Sequence, residues 1–180
     1  MSEAPSLRLP EADDRPLVVM LCTGNAARSV MAGAALSAER RLRVVTAGTH
    51  AVEHQPMSIR TRAAMTEVGL AAPGHRSRQL TPGDVDAATL IVAMAAEHVH
   101  YIRRRHPSGA ARAATLPWLA ANLPAGPEPL ARRVAALRLD QIDPDQQGDV
   151  EDPAGGDDEQ YLACARQIVD LMTVLGARLL

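Results

Sequence analysis

The sequence contains no phenylalanine, and its aromatic residues, one Trp and two Tyr, make up 2% of the chain. A core must therefore be built from Ala, Val, Leu, Ile and Met, and a site that holds a flat substrate between aromatic walls is hard to assemble. Lysine is absent too. All 19 basic residues are Arg, set against 21 acidic ones, and the net charge of −2 leaves no basic field over the molecule. That balance argues against a nucleic-acid partner. The two cysteines, Cys22 and Cys164, are far apart in the chain; they form no disulfide framework and point to a reducing compartment. No apolar run approaches the roughly 20 residues of a membrane span, and the polar, acidic first residues lack the apolar segment of a signal peptide. The expectation is a cytoplasmic protein with no membrane segment.

The 180 residues suit one domain with a real core. We read residues 1–15 as a flexible leader and 16–180 as a single domain. Residues 17–22 (LVVMLC) form a short apolar run that reads as a fully buried strand. A Gly-containing turn follows, then an Ala- and Met-rich helix over 28–40. Strands are expected at 43–48, 89–94 and 114–118, and helices at about 58–70, 95–105 and 130–138. Thr81 and Pro82 form an N-cap and first-position pair. The acidic, Gly- and Pro-rich stretch 140–158 reads as a loop, and 158–179 as a closing amphipathic helix. Strands alternating with helices predict an α/β fold: a four-stranded parallel sheet flanked by helices on both faces. In such sheets the ligand sits at the carboxyl ends of the strands, where the chain places Cys22.

The segment Cys22-Thr23-Gly24-Asn25-Ala26-Ala27-Arg28-Ser29 lies between that strand and that helix. A loop wrapped at a helix N-terminus points successive backbone N–H groups at one spot, and the helix dipole favours an anion there. Gly24 permits unusual backbone angles, and Asn25 tolerates the left-handed region better than most residues. The planar fork of Arg28 matches two phosphate oxygens. The same field favours the thiolate form of Cys22, and the Ser29 hydroxyl is placed to donate to the sulfur. A thiolate at the base of an oxyanion cradle can attack phosphorus in line. A bare Cys-x5-Arg is a weak signal; its position between strand and helix, with Gly24, Asn25 and Ser29, makes it specific.

This loop resembles that of the low-molecular-weight protein tyrosine phosphatases, which reads Cys-x-Gly-Asn-x-x-Arg-Ser after a buried strand. AGT at 47–49, HRSRQL at 75–80, LIVAM at 90–94 and a late Asp-Pro follow in the family's order. The resemblance covers about 17–179, apart from an insertion around 119–148. It implies the phosphotyrosine phosphatase I-like, three-layer Rossmann-like fold and two-step phosphomonoester hydrolysis through a cysteinyl-phosphate, with no metal or other cofactor. The implied substrate is a phosphotyrosine-type protein or a small phosphoester, and the expected state is a monomer or weak dimer.

The family also implies an acid Asp-Pro shortly before the last helix, with an aromatic about eight residues beyond. Asp152-Pro153 followed by Tyr161 fits this spacing better than Asp143-Pro144, so Asp152 joins Cys22 and Arg28 as the catalytic set. His75 and Arg78 match positions that buttress the phosphate loop, His75 through Asn25. His98, His100 and His106, among Arg103 to Arg105, read as a solvated helix face. Departures from the family pattern bear on substrate choice. Val30, Met31, Ala32 and Gly33 replace the usual Pro-x-Ala-Glu, Ala26 matches neither the tyrosine-directed nor the arginine-phosphate branch, and Ala154 and Gly155 stand where aromatics are common. A second Cys before the Arg is replaced by Ala27. Two other functions share the motif: arsenate reduction with an external thiol, and phosphate binding without catalysis.

Overall fold

The computed structural model describes residues 13–180; the leader expectation for 1–15 falls largely outside them. Four strands, β1 (Leu17–Cys22), β2 (Arg43–Gly48), β3 (Leu90–Ala93) and β4 (Ala113–Thr115), form one sheet in the order β2-β1-β3-β4. All pairings are parallel. Among the described residues seven α-helices accompany them: α1 (Arg28–Ala35), α2 (Ile59–Glu67), α3 (Pro82–Ala87), α4 (Ala96–Arg105), α5 (Leu116–Asn122), α6 (Leu130–Ala136) and α7 (Asp158–Leu179). This is the expected three-layer arrangement. Successive side chains of a strand face opposite sides, and β1 divides accordingly. Val18, Met20 and Cys22 pack with buried residues of α1, α5 and α7, whereas Val19 and Leu21 pack with Val85 of α3 and Ile102 of α4.

The chain reverses direction across the sheet at β1, which has β2 on one side and β3 on the other. Its carboxyl end is therefore the crevice of the sheet. Cys22 is the last residue of β1 and pairs with Gly48 at the end of β2. A Cβ on Gly48 would lie 2.5 Å from the Thr23 carbonyl oxygen and 3.0 Å from the Asn25 nitrogen, so only glycine lets the loop after Cys22 lie against β2. Gly33 has a similar role one layer out. Its missing Cβ would meet Thr46 Cγ2 at 2.5 Å, so glycine lets α1 cross β2 closely.

Three expectations need correction. The helix read over 28–40 ends at Ala35, after which Ser37 and Glu39 turn the chain back toward β2 through bonds to the Ala34 and Leu36 carbonyls. The strand read over 114–118 stops at Thr115. Its hydroxyl caps α5 by accepting from the Trp118 amide, with Pro117 in the first helical turn, a position Pro favours. The loop read over 140–158 carries short 3₁₀ turns at its start, Leu139–Gln141 and Pro144–Gln146.

Helix α6, inside the insertion around 119–148, packs away from the crevice. Arg133 of α6 donates to the carbonyls of Arg178 and Leu179 at the C-terminal end of α7. Twenty-two helical residues span about 33 Å, which places this brace at the far end of α7 from Asp152.

Candidate active site

Helix α1 begins with no capping side chain on its N-terminal amides. Among the described residues the backbone N–H groups of Thr23 to Arg28 have no protein acceptor. Orphan amides at a helix start are ready anion donors. Asn25 takes a left-handed backbone, φ 51°, and bends the loop back over Cys22.

A directed hydrogen-bond chain runs through this loop. The Arg78 amide donates to Asn25 Oδ1 at 3.0 Å, which fixes the orientation of the Asn25 amide. Asn25 Nδ2 then donates to Ser29 Oγ at 3.0 Å. That leaves the Ser29 proton for Cys22 Sγ, 3.0 Å away. All three side chains are buried. The support attributed to Arg78 thus comes from its backbone, while its guanidinium forms a bidentate pair with Asp84 at 2.8 and 2.9 Å. His75 Nε2 lies 2.8 Å from the Asn25 carbonyl; since a carbonyl only accepts, the ring nitrogen donates. Gly24, Ala26 and Ala27 contribute backbone alone.

Arg28 is buried, with its side chain 4% exposed. Nη1 donates to the Val150 carbonyl at 3.2 Å and Nη2 to Asp152 Oδ2 at 2.5 Å. A guanidinium has five N–H donors. Among the described residues these are the hydrogen bonds it makes, so three donors remain for phosphate oxygens. Asp152 also accepts from the Ala154 amide at 3.0 Å, a turn that aims its carboxylate into the crevice. Asp143 instead accepts from the Asp145 amide and caps a surface turn. The structure therefore brings Cys22, Arg28, Ser29 and Asp152 to one crevice and leaves Asp143 outside it.

Sequence reasoning missed His98. It was expected on a solvated face, yet it is 1% exposed and packs beneath the phosphate loop. The Ala95 amide donates to its Nδ1 at 3.0 Å, so Nε2 carries the proton and donates to Thr23 Oγ1 at 2.9 Å. Thr23 in turn donates to Glu97 Oε1 at 3.3 Å. Burial, with the charges of Arg28 and His50 adding to it, pushes His98 down from 6.5 to about 3. The ring is neutral, and its 3.3 Å approach to Glu97 is no ion pair. The unfolded chain binds a proton on this ring below about pH 6.5, whereas the folded protein does so only near pH 3. Stability therefore falls as pH drops through that window, by about 1.4 kcal/mol per unit from this group. Urea unfolding from pH 7 to pH 4 should show this slope, and His98→Gln should flatten it; parallel profiles would disprove the assignment.

Cys164 lies buried in α7, and burial pushes its thiol up to about 12. Both cysteines are free thiols. Among the described residues no group of three or more His, Cys, Asp or Glu side chains is arranged to hold a metal ion, and no helix is long and apolar enough to cross a membrane.

The family model for low molecular weight phosphotyrosine protein phosphatases matches residues 17–121. The chain belongs to this family. A protein-arginine-phosphatase of Geobacillus stearothermophilus is 29% identical over 164 residues, 90% of this chain and 95% of its own length. A solved arginine phosphatase from the same organism superposes with a TM-score of 0.74 at 28% identity, covering 91% of this chain and 92% of the other. A low molecular weight protein tyrosine phosphatase from T. tengcongensis superposes with a TM-score of 0.70 at 27% identity, covering 89% and 97%. The phosphatase fold is thus shared across the layers that position Cys22, and the activity of this family is cysteine-dependent phosphoester hydrolysis on protein substrates. Asp152 lies beyond the matched segment, so its place in the site rests on its contact with Arg28.

Proposed function

We propose that the chain removes phosphate from phosphorylated proteins with Cys22 as nucleophile, Arg28 as clamp and Asp152 as acid and then base. The carrying observation is the convergence of three features on one point: the Ser29 donor on Cys22 Sγ, the unpaired loop amides, and the Arg28–Asp152 contact. The Cys22 thiolate attacks phosphorus in line as the bond to the leaving group breaks. The loop amides of Thr23 to Arg28 and the remaining Arg28 donors hold the equatorial oxygens. Asp152 gives its proton to the departing atom, leaving a cysteinyl-phosphate. The same carboxylate then takes a proton from the water that displaces the sulfur and releases phosphate. His75, Asn25, Arg78 and His98 act as positioning residues for the loop. Arsenate reduction through an internal relay would need Cys164, which is buried and pushed up to about 12; reduction by an external thiol is separated by turnover of a phosphorylated substrate without any reductant. Phosphate binding alone would require neither the nucleophile nor the carboxylate on Arg28.

Phosphotyrosine is the substrate the loop motif implies. A second reading, N-phosphoarginine, is favoured by one observation. The crevice beside Arg28 is lined by Glu97, Asp149, Glu151 and Asp152, with no aromatic side chain. Carboxylates suit a cationic guanidinium leaving group, whereas a phenol ring finds no stacking partner there. Hydrolysis of matched phosphotyrosine and phosphoarginine peptides, with EDTA and without thiol reductant, tests both. Turnover of either supports the phosphatase reading, and the larger kcat/KM identifies the residue preferred. No turnover of either by folded protein would overturn it.

A further inference from the structure

Helix α4 starts at the phosphate loop, where Glu97 and His98 meet Thr23, and leads away from it. Alongside runs a groove of about 640 Å³ lined by Thr49, His50, Gln79, Tyr101, Arg104 and Arg105. Its floor is tied to the site, since the His50 amide donates to the Thr23 carbonyl at 2.9 Å. Tyr101 is held in place by His50 edge-on at 5.5 Å, by His106 at 5.7 Å and by a 3.3 Å bond from Gln79 Nε2. The rim carries Arg104 and Arg105, both exposed. Neither has a carboxylate partner among the described residues, and no acidic side chain lines the groove. Their neighbour Arg103 is occupied, donating to the Leu139 and Ile142 carbonyls.

Two surfaces of opposite sign therefore lie along α4. One flank is acidic, with Glu97, Asp149, Glu151 and Asp152; the other is basic, with two uncommitted guanidiniums. A groove that meets the phosphate loop where His50 bonds Thr23, and that carries unpaired arginines, is complementary to a negatively charged stretch of polypeptide. The spacing sets the register. From Glu97 to Arg104 the helix rises about 10 Å, which an extended peptide covers in about three residues.

We propose that this groove docks an acidic segment of the substrate protein, with its carboxylate about three residues from the phosphorylated one. The proposal rests on the phosphatase reading and adds a sequence preference to it. Arg104 and Arg105 touch the flanking chain, and the reacting atoms stay with Cys22, Arg28 and Asp152.

Two peptide series, centred on phosphotyrosine and on phosphoarginine, test this, with Asp, Ala or Arg at the third residue on either side. The wild type should favour Asp over Arg on one side by about threefold to tenfold in kcat/KM, a size suited to exposed ion pairs. The preference should fade at high salt. Arg104→Glu combined with Arg105→Glu should reverse the order of the same peptides, a ratio measured within one protein and so independent of its overall activity. A flat ratio in a wild type that hydrolyses p-nitrophenyl phosphate would overturn the groove and leave the phosphatase reading standing. An Asp preference unchanged in the double variant would place the recognition elsewhere and also overturn it. A folded wild type that turns over neither peptides nor p-nitrophenyl phosphate would remove the reading and the groove with it.

Discussion

Cys22→Ser should reduce p-nitrophenyl phosphate turnover by about 10⁴ or more, because a serine hydroxyl is a far weaker nucleophile toward phosphorus than a cysteine sulfur. The substitution is close to isosteric, and Cys22 is buried beside a single polar partner, the Ser29 hydroxyl. The loop should therefore keep its shape. Arg28 and the loop amides remain, so inorganic phosphate should still bind the variant about as tightly as the wild type. Titrating phosphate by calorimetry while measuring turnover separates the two properties. Activity above about one hundredth of wild type would be incompatible with a covalent route through this residue.

Asp152→Asn should lower kcat and kcat/KM by about 10² to 10⁴, the reach of a general acid, and the loss in kcat/KM should depend on the leaving group. Asparagine keeps the size of the side chain and can still accept from Arg28, but it has no proton to give. Protonation matters most when the departing group is a strong base. p-Nitrophenyl phosphate should suffer least in the first step, phenyl phosphate more and an alkyl phosphate most. Substrate binding should hold or tighten, because Arg28 Nη2 no longer shares a charged partner 2.5 Å away. A series of aryl phosphates read as log kcat/KM, which reports the first step alone, against leaving-group basicity should show a steeper slope in the variant. An equal loss across the series would make Asp152 a binding residue and return the search for the acid to the crevice wall.

The parts of this fold legible in the sequence are those set by local pattern. The apolar run 17–22 is a strand because a fully buried central strand needs no alternation, and the amphipathic 158–179 stretch announces α7 through a sustained helical period, to which the structure adds a capping box at Asp157. The cradle was legible because Cys22, Gly24, Asn25, Arg28 and Ser29 lie within one short segment, 22–29. Features created by distant segments were not legible. His98 looks like a surface histidine beside three arginines; only the placement of β3 next to β1 brings the start of α4 under Thr23 and buries the ring. Thr115 looks like part of a strand until the Pro117 turn recruits its hydroxyl as a cap. Gly33 reads as a departure from the family motif and becomes intelligible through Thr46 of the neighbouring strand. Choosing Asp152 over Asp143 needed the spacing to Tyr161, and the geometry that favours it, a contact with Arg28 across 124 positions, lies outside any local window.

β1 is hydrogen-bonded along both edges, and each of its six residues is buried. Amides in such a strand exchange with solvent only in openings that approach complete unfolding. The cradle grows directly out of this strand and is cross-linked by hydrogen bonds to Arg78 and His98 from elements that follow β2 and β3. It therefore belongs to the last cooperative unit to come apart. Heat or denaturant should not yield a population that keeps its fold with a melted catalytic loop. Loss of phosphate binding and global unfolding should coincide, since the order of the anion-binding amides is secured when the chain folds and substrate meets a loop with no ordering cost left to bear.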